Sequence, residues 1–301
     1  MASIQTDLQR QLDSVECHFT WNLSCNVSIL HRQQERLEDR SRHGCTWEGH
    51  LYNLLGYVVY HIQDSAEEAL LHLRQAEVVL KEQEPEGRGP RLLVNQANLA
   101  WVHYHLGELP ECQSYLEEVT RLQEEFPAPP GCELHPEVYG EKGWTLVKFE
   151  HDFQKLAVAN FEMALRGETD RKEWHVGLAL AKYKVYFNEG NEELRGEIIE
   201  QIKIAKTKDP DNLRMLAMYW NALADVGKKT EETGSSDEAL TCLRKAEKMI
   251  REQGEEEKDC LLLVNQANLA WVHYLRDLLV SRRIESTCDE STEQGHKAPL
   301  R

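Results

Sequence analysis

Apolar residues recur every three or four positions along most of this chain, which is the period of an amphipathic α-helix. In the stretch 91–107, small residues at 97 and 100 sit beside large ones, and a glycine closes the run. A second apolar stripe follows, made of Cys112, Leu116 and Val119. This order of large, small and large residues predicts two antiparallel helices that pack closely where they cross.

The same two-helix unit recurs along the chain, and its length of about 34 residues is typical of a tetratricopeptide repeat. The predicted fold is therefore all-α, a tetratricopeptide-repeat superhelix (an α-solenoid) spanning 1–226. Helices are also predicted over 8–21 and 29–42, ahead of the first repeat at 51–81. Prolines at 127, 129 and 130 end the second repeat, because proline cannot continue a helix. Second-helix stripes are formed by Ala69, Leu73 and Ala76, by Ala157, Phe161 and Ala164, and by Ile198, Ile202 and Ala205.

The segment Leu93–Tyr104 returns as Leu263–Tyr274, with twelve identical residues (93 to 263 and 104 to 274, without a gap). A constant offset indicates duplication rather than convergence on a repeat consensus. No second helix with a small-residue stripe follows the copy, so residues 227–284 are predicted to form a duplicated, incomplete repeat. The polar end at 285–301 is predicted to be disordered.

Composition narrows the possible functions. A net charge of −17 disfavours indiscriminate binding to nucleic acid, which would be repelled at long range. No apolar run is long enough to span a membrane, and the N-terminus has no apolar signal core, so a cytoplasmic protein is expected. The eight cysteines form no CxxC pair, and no nucleophile motif or metal-ligand spacing occurs. The chain is expected to be no enzyme and to use no cofactor or metal.

Several short blocks resemble signatures of the interferon-induced proteins with tetratricopeptide repeats, a vertebrate antiviral family. They occur in the family's order over residues 1–225. Together they are specific, whereas each repeat motif alone would be weak. The blocks include Cys17-His-Phe-Thr-Trp21, Asn53-Leu-Leu-Gly-Tyr57, Asn98-Leu-Ala-Trp-Val-His-Tyr-His-Leu-Gly107, Glu141-Lys-Gly-Trp-Thr-Leu-Val-Lys148, Glu173-Trp-His-Val-Gly177 and Asp209-Pro-Asp-Asn212.

The resemblance implies an innate-immunity effector that binds the 5′ end of single-stranded foreign RNA. The RNA end, triphosphorylated or capped without ribose methylation, would enter a basic tunnel within the helical array. The implied partners are this RNA and paralogous family members or a second copy of the chain, with no membrane and no DNA. The family is longer than this chain, and its later basic positions lie in repeats that this chain lacks.

The resemblance also implies RNA-binding residues. Arg36 matches a phosphate-contacting arginine, and Arg40 stands where the family commonly has glutamine. Trp144 resembles a residue that stacks on a terminal base or cap, and Lys148, one helical turn later, resembles one that reaches phosphate.

The resemblance implies RNA-binding roles for three further residues, which agree with the family's residue types to different extents. Lys184 stands where arginine is frequent, so it keeps the charge but not the planar fork of donors. Phe153 takes the place of a tunnel-lining tyrosine. Asn212 matches, although Arg214 departs from a frequent tyrosine.

Other interpretations of these residues stay open at this stage. The arginines at 32, 36 and 40 lie one turn apart and are interleaved with acidic residues, as on an ordinary solvated helix face. Trp144 lies near a predicted helix crossing, where a core role is common. The alternative function is a tetratricopeptide scaffold, or a regulatory shortened form, that pairs with longer paralogues.

Overall fold

The computed structural model describes residues 2–42, 48–84, 89–189, 194–209 and 244. These residues form ten α-helices and no β-strand, which confirms the all-α prediction. The helices are α1 (Ala2–Ser14), α2 (Val27–Arg42), α3 (Glu48–Gln63), α4 (Ala66–Gln83), α5 (Leu92–His105), α6 (Leu109–Glu125), α7 (Pro136–Leu146), α8 (His151–Gly167), α9 (Lys172–Glu189) and α10 (Leu194–Lys208).

The chain divides into two compact units, residues 1–190 and 191–301. In the first unit α3 packs on α4, α5 on α6 and α7 on α8, while α4 also meets α5 and α8 meets α9. This is the stacking of helix pairs that the repeat pattern predicts. In the second unit α10 buries its predicted stripe of Ile198, Ile202 and Ala205. Apart from Arg244, the predicted segments 227–284 and 285–301 lie outside the described residues, so their interpretation stays a prediction.

Close packing within a pair depends on glycine in the first helix opposite a large residue in the second. A Cβ placed on Gly143 of α7 would lie 3.0 Å from the ring of Phe161 on α8. Gly177 of α9 contacts the same ring from the next pair. Phe161 is fully buried between them, and the predicted stripe residues Ala157 and Ala164 are buried beside it. These contacts fix how α7, α8 and α9 stack.

The first helix ends earlier than the sequence predicts. Helix α1 ends at Ser14, whereas apolar periodicity predicted a helix over 8–21. The Thr20 hydroxyl accepts a hydrogen bond from the Cys17 N–H and donates to the Val15 carbonyl. Such side-chain bonds to the backbone offer the chain an alternative to the helical ladder. The resulting turn buries Cys17 and His18 completely, so it is a packed element.

The remaining helix limits follow local chemistry. Helix α6 ends at Glu125, ahead of the proline cluster, and α7 begins at Pro136, whose missing N–H costs nothing in a first turn. Helix α2 covers the predicted span 29–42. Among the described helices, none has both the length and the apolar character needed to cross a lipid bilayer.

Candidate functional site at the end of helix α7

Two lysine side chains, one from the turn that follows α7 and one from α9, lie at the C-terminal end of α7. The last carbonyls of any helix lack intrahelical donors, and cations are favourable there. Lys148 Nζ donates to the carbonyl oxygen of Trp144 at 2.5 Å. Lys184 Nζ, on α9, donates to the carbonyl oxygen of Val147 at 2.7 Å. The structure therefore brings Lys148 and Lys184 to one helix end.

Helix α2 reaches the same place through a buried amide. Gln33 Nε2 donates to the carbonyl oxygen of Lys148 at 2.6 Å, across a separation of 115 residues. Gln33 is only 2% exposed. Arg36 lies three residues further along α2 and is exposed, and positions three apart are neighbours on a helix surface. Arg36 thus belongs to a helix that is fixed against the lysine site.

Trp144 combines a core contact with a position in this cluster. Its half-buried ring packs edge-to-face on Phe161, with centroids 5.4 Å apart and an interplanar angle of 80°. The Lys148 ammonium lies 6.0 Å from the centroid of the same indole, within cation–π range. Phe153, near the start of α8, packs at 5.9 Å on Phe149, the residue after Lys148. Phe153 therefore borders the turn that carries Lys148.

Two of the predicted site residues cannot be placed. The side chain of Arg40, on α2, lies outside the described residues, and so does all of Asn212. The five others belong to the first compact unit. Of these, Trp144, Lys148 and Lys184 meet at the end of α7.

An ion pair between partly buried His50 and buried Glu141 supports α7 about two turns before Lys148. His50 Nδ1 lies 2.8 Å from Glu141 Oε2, and Asn53 Nδ2 donates to Glu141 Oε1 at 2.9 Å. Burial opposes charge on both groups, but their attraction prevails: it raises the pKa of His50 and, with His50 as donor, lowers the pKa of Glu141. The attraction therefore favours the charged form of each residue while the other is charged.

His18 ties the turn after α1 to the site helix. Its backbone N–H donates to Asn98 Oδ1 at 3.1 Å, and its Nδ1 lies 3.0 Å from the amide nitrogen of Asn98. Because that amide is a donor, Nδ1 accepts and the Nε2–H donates to the Thr145 hydroxyl at 3.1 Å. Burial lowers the pKa of His18 to about 4, so the ring is neutral at neutral pH. His18 braces the residue that follows Trp144 without adding positive charge.

Sequence reasoning did not assign roles to Gln33, His18 or Glu141. The sequence does contain a clue to the role of Gln33. This polar residue lies between Leu30 and Leu37 in the apolar period of α2, and both leucines are buried on the same face. A polar residue at a core position usually has a specific hydrogen-bond partner. His18 and Glu141 lie in blocks that served only to identify the resemblance.

Replacing Gln33 by leucine should destabilise the fold measurably. The substitution keeps the side chain's size but removes the donor to the Lys148 carbonyl, a loss of about 1–3 kcal/mol in the free energy of unfolding. Urea denaturation followed by circular dichroism measures it. The control is Gln75→Leu on the exposed side of α4, which should change stability by less than about 0.5 kcal/mol. Equal stabilities of the two variants would show that the Gln33 contact is unimportant.

Comparison with known proteins identifies sequence relatives of this chain. No family model matches the chain. Human IFIT1 homolog B is 30% identical over 266 residues, which cover 85% of this chain and 56% of that protein. Human interferon-induced protein with tetratricopeptide repeats 2 is 30% identical over 271 residues, covering 86% of this chain and 56% of that protein. The chain thus spans little more than half the length of these curated relatives.

Solved structures give the same result for the fold. The human IFIT1 dimer with PPP-AAAA matches with a TM-score of 0.64 and 26% identity, covering 94% of this chain and 64% of that one. The human IFIT1 dimer with m7Gppp-AAAA matches with a TM-score of 0.67, also at 26% identity, over 94% and 65% of the two chains. With the ordered sequence blocks and the stacked helix pairs, these similarities show that the chain belongs to the family of interferon-induced proteins with tetratricopeptide repeats.

Proposed function

We propose that this chain is an antiviral effector of innate immunity that binds the 5′ end of single-stranded foreign RNA, triphosphorylated or capped, and catalyses no reaction. The observation that supports the proposal is the meeting of Lys148, Lys184 and the indole of Trp144 at the end of α7. Two cations beside an aromatic ring suit a ligand that carries phosphates next to a base.

The lysines are oriented for this role before any ligand arrives. An ammonium group has three donors. Lys148 donates one of its three to the carbonyl of Trp144, and Lys184 donates one of its three to the carbonyl of Val147. Side chains already held in place lose less conformational entropy when they bind an anion. Arg36, exposed on α2, would add a bidentate contact to a phosphate group.

The buried carboxylate of Glu141 does not cancel the positive charge of the site. His50 and Asn53 occupy its two oxygens, so its charge is compensated locally. The chain as a whole is strongly acidic, which disfavours attachment anywhere along an RNA strand. An acidic body with a local cationic site favours selection of a phosphate-rich RNA end. Trp144 would stack on the terminal base or the cap.

The solved relatives support the ligand class. Human IFIT1 has been solved with PPP-AAAA and with m7Gppp-AAAA. This chain contains the segments that carry Arg36, Trp144, Lys148 and Lys184, although it covers only 64% and 65% of those chains. A scaffold that pairs with longer family members is the competing function, and the experiment below separates the two.

Fluorescence anisotropy with one RNA oligonucleotide carrying either a 5′-triphosphate or a 5′-hydroxyl tests the proposal. We expect the triphosphate RNA to bind at least about tenfold more tightly, because one lost charge-assisted hydrogen bond costs about 1.5 kcal/mol or more. Affinity should fall with salt, with a logarithmic slope of about −1.4 to −2.1 for two or three phosphate contacts to single-stranded RNA. No RNA affinity, together with a stable complex with a full-length relative, would favour the scaffold instead.

A further inference from the structure

A cavity of about 300 Å³ lies near the N-terminal end of α7, away from the lysines. Val138 lines it, and eight residues of helical rise, about 12 Å along the axis, separate Val138 from Leu146 at the end of α7, ahead of Lys148. The cavity is therefore distinct from the proposed RNA site. Its lining includes Glu16, Leu93, Val119, Ala128, Glu133 and Val138.

The cavity combines apolar walls with carboxylates. Side chains from α5, α6 and α7 supply the apolar part, including Leu93, Val119 and Val138. The charged residues of the described lining are Glu16 and Glu133, and this lining contains no lysine or arginine. Small binding cavities are typically apolar with a few polar groups that fix orientation.

The two carboxylates differ in what they already bind. Glu16 Oε2 accepts from Trp21 Nε1 at 2.7 Å and from Lys142 Nζ at 2.8 Å, so it is compensated within the fold. Glu133 is exposed and forms no ion pair within the described part of the chain. A cationic ligand would therefore meet its main electrostatic attraction at Glu133.

The histidine in the lining does not oppose a cation. His135 caps α7, with its Nδ1 accepting the backbone N–H of Glu137 at 3.2 Å. Burial lowers the pKa of His135, so the imidazole is neutral at neutral pH. The lining is therefore acidic overall, which disfavours a phosphate or a nucleic acid and favours a positively charged group.

We propose that this cavity binds a partner protein through an apolar side chain adjacent to a lysine or arginine. The apolar side chain would fill the space between Leu93, Val119 and Val138, and the cation would lie against Glu133. The strongly negative charge of the chain would also attract a basic segment from a distance. This binding is independent of the RNA proposal, because it uses a different end of α7 and the opposite sign of charge.

The test uses blocked tetrapeptides with the sequence Gly-Phe-X-Gly, where X is lysine, glutamine or glutamate. Methyl NMR of the full chain, labelled on leucine and valine, follows the signals of Leu93, Val119, Leu134 and Val138. We expect the lysine peptide to change the chemical shifts of these methyl groups. It should bind about fivefold more tightly than the glutamine peptide, and the glutamate peptide should bind more weakly still. Absence of methyl shifts with the lysine peptide would overturn the proposal.

Two substitutions separate charge from shape. Glu133→Gln should weaken binding of the lysine peptide about fivefold and leave the affinity for the glutamine peptide unchanged. Glu111→Gln, at an exposed position of α6, should change neither affinity. Ala128→Trp should fill the cavity and abolish binding of the lysine and glutamine peptides. Ala159→Trp, at an exposed position of α8, is the control and should leave both affinities unchanged. Equal binding of the three peptides, or no effect of Glu133→Gln, would refute a cation-selective site.

Discussion

Lys148→Glu should weaken binding of a 5′-triphosphate RNA by about 100-fold or more. Loss of a charge-assisted hydrogen bond to phosphate costs about 1.5–3 kcal/mol, which corresponds to roughly 10- to 150-fold in affinity, and the new carboxylate adds repulsion. Lys184→Glu should act similarly, because both ammonium groups bind carbonyls of the same helix end. Lys184→Arg should keep most of the affinity, since the charge remains. Fluorescence anisotropy gives the dissociation constants.

The matched control for these variants is Lys81→Glu on α4. Lys81 is exposed and pairs with Glu77 one turn away, so the substitution makes the same change in net charge on an outer helix surface. Its effect on RNA affinity should stay within about twofold. If Lys81→Glu weakened binding as much as Lys148→Glu, general electrostatics would explain the loss and the α7 site would not.

Glu141→Gln should lower the free energy of unfolding by about 3–5 kcal/mol. Removing one member of a buried ion pair leaves the other charge without compensation, and this costs much more than losing an exposed pair. Here a protonated His50 would lose the negative charge that compensates its own, because the amide of glutamine is neutral. Asn53 would also lose a carboxylate acceptor. Urea denaturation measures the change.

Glu117→Gln is the control for this substitution, because Glu117 is exposed on α6 and accepts a hydrogen bond from Gln113 one turn away. It should alter stability by less than about 0.5 kcal/mol. Replacing both His50 and Glu141 by glutamine should cost less than the sum of the single changes, since no charge is then left buried alone. A small effect of Glu141→Gln would mean that the ion pair does not stabilise the fold.

The same pair makes stability depend on pH in a defined direction. The pKa of Glu141 is below its ordinary value of 4.5 in the folded state, so its contribution is complete above that value and is lost as the pH falls through the folded pKa. The pKa of His50 is above its ordinary value of 6.5, so its contribution is complete below 6.5 and is lost as the pH rises through the folded pKa. The pair therefore stabilises most between these two values.

The helices themselves were largely predictable from local sequence. Apolar periodicity, the glycine opposite Phe161 and the prolines around 127–130 each act within one or two turns, so a single sequence reveals them. The turn that buries Cys17 and His18 was not predictable, because Thr20 bonds and contacts from α5 and α7 override the apolar period. Tertiary contacts of this kind leave no periodic signal.

The candidate site was only partly predictable for the same reason. The residue types at 144, 148 and 184 are compatible with phosphate binding, but their meeting depends on how α7 and α9 stack through Gly143, Gly177 and Phe161. Resemblance to the family supplied the candidates, and the contacts at the end of α7 supply their arrangement.

The most direct measurement is the ratio of affinities for 5′-triphosphate and 5′-hydroxyl forms of one RNA, determined for the natural chain and for the variant Lys148→Ala/Lys184→Ala. If these lysines together hold the terminal phosphates, the natural chain should prefer the triphosphate at least about tenfold, and the double variant should bind both forms almost equally. A preference that survives in the double variant would contradict the assignment of the phosphate site to the end of α7.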